Sequence, residues 1–210
     1  MTPRLVLASG SPRRRQMLEQ LGLAFVVVPA PPAVEAPWDG ATAPVVYARR
    51  TAAAKAAAVA SSHPEALVLG ADTIVVVEGD VLGKPADRRQ AAAMLRRLSG
   101  RTHTVHTALA IRASGGREAQ GVETTTVQFR DLSEADITAY CATGEPDDKA
   151  GAYAIQGCGA TLVERLEGCY YNVLGFPVTL FLRLLTQVGH RYEFPGRIRT
   201  AGRGVSHEVA

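Results

Sequence analysis

Four short segments concentrate the hydroxyls, cations and carboxylates of this chain. The first, Ser9-Gly10-Ser11-Pro12-Arg13-Arg14-Arg15, follows a short apolar run and opens a helical pattern. Free amides and the dipole at a helix start attract anions. Ser9, Ser11, Arg13 and Arg14 add hydroxyl and guanidinium donors, so phosphate binding is favoured over a solvated basic helix face. The second, Gly70-Ala71-Asp72-Thr73, sets a carboxylate at what reads as the end of an apolar strand. Such a group is costly to bury alone, and strand ends of open α/β sheets are where ligands bind. Asp72 is then a divalent-metal ligand or a general base toward water, or else a turn residue; this segment does not choose between them.

The third segment, Gly79-Asp80-Val81-Leu82-Gly83-Lys84-Pro85, looks superficially like a phosphate-binding P-loop. Its spacing is one residue short, and Pro85 stands where a magnesium-holding hydroxyl belongs, so that reading fails. Lys84 remains a candidate phosphate contact in a loop stiffened by its neighbours. The fourth runs from Gly144 to Gly157 and is rich in glycine, proline and charge. Asp148 and Lys149 are placed to form an ion pair. Gln156 offers both a donor and an acceptor, the complement that a uracil or thymine edge requires; the alternative is an exposed Gln on a structural loop. The five histidines show no metal or triad spacing.

Lysine usage sharpens this list. Of 23 basic residues only Lys55, Lys84 and Lys149 are lysine. In a chain so biased toward arginine, a retained lysine marks a site where a compact ammonium serves and a planar fork does not.

These segments need elements to hold them. Leu5–Ala8 and Phe25–Val28 read as strands, with a helix from Pro12 to Leu21 between them, capped by Ser11 and stopped at Gly22. A proline-rich loop follows, then an alanine-rich helix over Val45–Ser61. Leu67–Leu69 and Thr73–Val77 read as two strands separated by Gly70-Ala71-Asp72, with a turn at Glu78-Gly79-Asp80. A helix over Ala86–Leu98 precedes paired strands Thr102–Arg112 and Gly121–Arg130. Ser133 with Asp136 marks a helix start, a strand is expected near Thr161–Leu166, and a last helix over Pro177–Val188. Interleaved strands and helices with a hairpin predict an α/β or α+β fold around a mixed sheet. Residues 1–189 form the expected domain, and 190–210 an Arg- and Gly-rich tail read as loose.

Bulk properties exclude several classes. A net charge of +3 on 210 residues is too small to argue for nucleic-acid or membrane-surface binding. The N-terminal apolar run is too short for a signal peptide, and no stretch is long enough to span a membrane. Three cysteines without ligand spacing read as reduced thiols of a cytosolic protein.

The ordered set SGSPRR, GADT, GKP, LSGRTH, DKAGAY, IQG and YYNVLGFP resembles the Maf family of nucleoside triphosphate pyrophosphatases over residues 4–188. The long DKAGAY-x-IQG segment resembles the branch acting on dTTP and UTP. The resemblance implies a mixed twisted sheet flanked by helices in two lobes around a deep cleft, similar to inosine triphosphatase, and a cytoplasmic homodimer. It implies Asp72 as the catalytic carboxylate, Arg13, Thr73 and Gln156 as residues of substrate choice, and Ser9, Arg14, Lys55 and Lys84 as polar groups lining the cleft. A divalent cation, Mg2+ or Mn2+, would be held by Asp72 and by Glu35, the acidic residue after the second strand, here in a shifted register. Ala154 departs from the glycine usual at its position. Two rival readings share these residues: a house-cleaning pyrophosphatase for modified nucleotides, and a nucleotide-binding regulator of cell division with little turnover. If lysine scarcity reports function, Lys55→Arg and Lys84→Arg fold normally and lose activity; full activity in both variants reduces these lysines to a diffuse positive field.

Overall fold

The computed structural model describes residues 3–200. Two short parallel strands, β1 (Leu5–Leu7) and β2 (Phe25–Val27), flank helix α1 (Pro12–Gln20) in sequence. Pro12 fits the first helical turn, where no amide donor is needed. Ser11 stands at the cap position, but its side chain makes no capping bond. Helix α2 (Pro44–Ala60) then leads into β3 (Leu67–Val77), which turns at Glu78-Gly79 into the short β4 (Asp80–Leu82). Helix α3 (Arg88–Leu98) begins two residues later than expected because Asp87 caps it, accepting from the Gln90 amide at 2.7 Å. The long hairpin β5 (Thr102–Arg112) and β6 (Glu118–Phe129) follows.

Helix α4 (Glu134–Ala142) carries the expected capping box, with Ser133 and Asp136 bonding each other's amides at 3.1 Å. Single-turn segments over 145–162 then reach β7 (Val163–Glu167), the short α5 (Tyr170–Val173) and α6 (Val178–Gln187). The last described elements form a hairpin, β8 (His190–Glu193) with β9 (Arg197–Thr200). The loose tail expected from composition is therefore ordered over 190–200. Ile198 is buried in the core, and the Tyr192 hydroxyl donates to the Leu21 carbonyl at 2.8 Å. The remainder of that tail, 201–210, lies outside the described residues.

The sheet order is β2-β1-β3-β5-β6-β7, parallel on the β2 side and antiparallel beyond β3, with β4 on the β3 edge. One apolar cluster joins α1 and α6 to Leu67, Leu69 and Leu109. A second packs α3 and α4 against Val75, Val77, Val127 and Phe129. A third buries the alanine face of α2 on Val68, Ile74 and Ala108. The first two clusters take alternate residues of β3, Leu67, Leu69 and Ala71 in one and Val75 and Val77 in the other, with Thr73 between them. No helix among the described residues is long and apolar enough to cross a membrane.

The two expected strands 67–69 and 73–77 are one. β5 pairs without a break from Val68 to Val76, so Gly70-Ala71-Asp72 stays extended instead of turning. On the other edge, β1 reaches only to Leu69 and β4 starts only at Val75. Residues 70–74 therefore have a strand on one side and an open edge on the other, and Asp72 lies mid-strand, not at a strand end. Gly70 lets α2 approach this stretch: a Cβ there would strike the Ala52 carbonyl and lie 2.7 Å from the Ala56 amide. Gly70→Ala should cost about 2 kcal/mol or more through overpacking, read as a lowered denaturation midpoint; wild-type stability would show that α2 yields.

Candidate functional site

Arg14 of α1 covers the open edge of β3 at one point, the Ala71 carbonyl. Arg14 is 8% exposed, and its guanidinium donates to the Ala71 carbonyl (3.0 Å), the Gly175 carbonyl (3.0 Å), Ser9 Oγ (2.9 Å) and Thr73 Oγ1 (2.9 Å). Burial pushes its pKa below the usual arginine value, against the opposing pull of Asp72. Thr73 Oγ1 also bonds Thr107 Oγ1 at 3.0 Å, and the Thr107 hydroxyl and amide bond the fully buried Asn172. Arg14 and Thr73, read from sequence as substrate contacts, thus spend these donors and acceptors inside the protein.

Asp72 faces α2. Its Oδ1 accepts from Lys55 Nζ at 2.7 Å, and the same ammonium lies 2.9 Å from Glu35 Oε1. Burial raises the Asp72 pKa above the ordinary carboxylate value, while Lys55 pulls it back down. Asp72 Oδ2 has no hydrogen-bond partner among the described residues, and Asp72 lines the cleft. The two carboxylates converge on one cationic atom. That donor pair suits a hard divalent ion whose remaining ligands are phosphate oxygens and water. Among the described residues no group of three or more His, Cys, Asp or Glu could hold an ion by itself, so the substrate would have to complete the shell.

One cleft of about 650 Å³ gathers Ser9, Ser11, Arg13, Arg14, Glu35, Lys55, Asp72, Thr73 and Lys84. Arg13 and Lys84 make no hydrogen bond or ion pair among the described residues and stand as available cations on its wall. The uncapped first turn of α1 adds its free amides. The Asp148–Lys149 ion pair forms at 2.6 Å and also lines the cleft. Lysine scarcity points to Lys149 as strongly as to Lys55, so the sequence itself carries a signal for this residue. The Gly151 amide donates to the Gly83 carbonyl at 3.0 Å, tying that loop to the one carrying Lys84.

Gln156 is not in this cleft. It lines an adjoining hollow of about 180 Å³ with Gln16, Gln20, Tyr170 and Tyr171, and the two spaces share Arg13 and Leu174. Ala154 has no left-handed backbone conformation, so alanine fits in place of the usual glycine. The three cysteines are free thiols. His103 and His106 are buried away from the cleft; burial holds the His103 pKa down at about 4.

Residues 4–188 match the family described as Maf-like protein. A dTTP/UTP pyrophosphatase of Deinococcus radiodurans is 49% identical over 187 residues, covering 89% of this chain and 94% of that one. A dTTP/UTP pyrophosphatase of Symbiobacterium thermophilum is 50% identical over 186 residues, with 89% and 94% covered. Among solved structures, a nucleoside-triphosphatase / dITP/XTP pyrophosphatase of Mycobacterium abscessus is 18% identical with a TM-score of 0.40, over 61% of this chain and 75% of that chain. A score that low carries no argument.

Arg14→Lys keeps the charge but loses the fork that reaches four acceptors. It should cost about 3 kcal/mol in unpaired buried groups, seen as a fall in Tm of about 5–10 °C. An unchanged Tm would mean that water takes over those bonds.

Proposed function

The chain belongs to the Maf family, and on that premise we propose that it is a nucleoside triphosphate pyrophosphatase that splits dTTP and UTP into the monophosphate and pyrophosphate. The observation that carries the chemistry is one cleft that sets unpaired cations, Arg13 and Lys84, opposite a buried carboxylate, Asp72, with one oxygen left unpartnered. The substrate follows from relatives about half identical over nearly the whole domain. We take the working protein to be a cytoplasmic homodimer, as the family resemblance implies.

The triphosphate lies against the first turn of α1, where free amides, Arg13 and Lys84 offset its charge. Ser9 and Arg14 hold that turn to β3. The open edge of β3 leaves room for the α-phosphate beside Asp72. Asp72 Oδ2 orients a water and takes its proton. The water oxygen bonds to the α-phosphorus, the bond from that phosphorus to the αβ-bridging oxygen breaks, and pyrophosphate leaves with the electron pair. Lys55 opposes the rise that burial imposes on the Asp72 pKa and so favours its basic form. Asp72 and Glu35 would hold Mg2+ or Mn2+, which when bound neutralises phosphate charge and acidifies water. A house-cleaning role would use the same steps on modified nucleotides. A regulator with little turnover would bind nucleotide without releasing pyrophosphate.

With UTP or dTTP plus magnesium, the products should be the monophosphate and pyrophosphate, and chelator should stop turnover. Inorganic phosphate plus a diphosphate would place attack on the γ-phosphorus and sink the mechanism. Asp72→Asn should lower kcat by about a hundredfold or more. Because burial raises the Asp72 pKa, its ionised form opposes folding at neutral pH. The variant should therefore be at least as stable as the parent, with Lys55 still paired to Glu35. In the parent, kcat should fall as pH drops through that raised pKa. Near-normal turnover in folded Asp72→Asn would remove Asp72 from the chemistry.

A further inference from the structure

We propose that Glu145 and Tyr140 are positioning residues for base selection: together they clamp the backbone on both sides of Gln156 and so fix where its amide meets the nucleobase. This deepens the reading above and rests on Gln156 being the residue that reads the base.

The Gln156 side chain is exposed and makes no hydrogen bond among the described residues. A long amide on a loop selects between bases only if its backbone is held to a fraction of an ångström. Glu145 supplies that hold from the opposite end of the same loop. Its Oε1 accepts from the Tyr140 hydroxyl and from the Gly159 amide, both at 2.9 Å, and its Oε2 accepts from the Cys158 amide at 3.0 Å. The Tyr140 hydroxyl in turn accepts from the Ala154 amide at 3.2 Å. These bonds land on residues 154, 158 and 159 and bracket Ile155-Gln156-Gly157. Charge-assisted bonds to a carboxylate are stronger than neutral ones, and Tyr140 is buried on α4 in the α3–α4 lobe, so the anchor is rigid.

The glycines around Gln156 fit this seat. Gly157 has φ +67°, and a Cβ there would lie 2.6 Å from Glu145 Oε2. A Cβ on Gly159 would lie 2.6 Å from the Tyr140 hydroxyl and 2.9 Å from Glu145 Oε1. Only glycine lets the backbone close this tightly around the carboxylate. Glu145 is itself tied to the main cleft: Lys149 Nζ donates to its carbonyl at 2.7 Å while pairing with Asp148. The clamp thus sets the hollow that holds Gln156 at a fixed offset from the phosphate cleft.

The test is a double-mutant cycle on selectivity. kcat/KM for UTP and for CTP is measured on the parent, Gln156→Ala, Glu145→Ala and the double variant, with Tyr140→Phe as the lesser cut. Glu145→Ala should narrow the UTP:CTP ratio about tenfold, as Gln156→Ala does, with turnover of CTP little changed. The double variant should be no less selective than Gln156→Ala alone, because the clamp acts only through that side chain. Should Glu145→Ala fail to fold, Glu145→Gln, which keeps the shape and one acceptor oxygen, is read in the same way. A parental ratio in the Glu145 variants beside a narrowed one in Gln156→Ala overturns the clamp and leaves base reading intact. Fully additive narrowing in the double variant also overturns it, since Glu145 would then act elsewhere. An unchanged ratio in Gln156→Ala overturns the reading of Gln156 and the clamp with it.

Discussion

Arg14 sits almost fully buried where the sheet has a gap, and the cleft depends on how that burial is balanced. Taking a guanidinium out of water costs several kcal/mol. The cost is met by bonds to two backbone carbonyls and two hydroxyls. The Ala71 carbonyl lies on the edge of β3 left open between β1 and β4. Arg14 stands in for the missing strand at that point. In doing so it joins α1, the middle of β3 and the turn after α5, three parts of the chain that no local interaction would bring together.

The open edge that needs Arg14 is also what exposes Asp72. A continuous neighbouring strand on that side would close the edge and cover Asp72. A true strand end would leave the carboxylate in water with an ordinary pKa. Mid-strand placement beside an open edge gives a carboxyl that is buried on the α2 side and accessible on the other. Lys55 offsets part of the burial, with Glu35 as its second partner. Of the five cations lining the cleft, Lys55 pairs with the two carboxylates, Arg14 with the scaffold and Lys149 with Asp148, while Arg13 and Lys84 have no partner among the described residues.

The loop from Gly144 to Gly157 joins these parts. Gly151 bonds to Gly83 beside Lys84, Lys149 pairs with Asp148 on the cleft wall, and Glu145 seats the turn after Gln156. The cationic cleft and the hollow that holds Gln156 are two adjoining spaces that share Arg13 and Leu174.

The sequence by itself determined the kinds of element, the capping of α4 by Ser133 and Asp136, and the family, and it singled out segments that meet at one cleft. Those features are local: periodicity, caps and turn residues act within a few positions. Scarcity marked Lys55, Lys84 and Lys149, all of which line the cleft. Only the tertiary structure decided that β3 is continuous, because β5, and not the local Gly-Ala-Asp pattern, sets its conformation. Only it decided that Arg14 is scaffold, that Lys55 belongs to Asp72 and Glu35, that Gln156 stands in a separate hollow, and that residues 190–200 form a packed hairpin. Each of these rests on partners far apart in the chain, as Arg14 and Gly175 are. Whether a buried charge is scaffold or ligand contact depends on which acceptors the fold brings within hydrogen-bond reach, and that is geometry that no spacing in the sequence encodes.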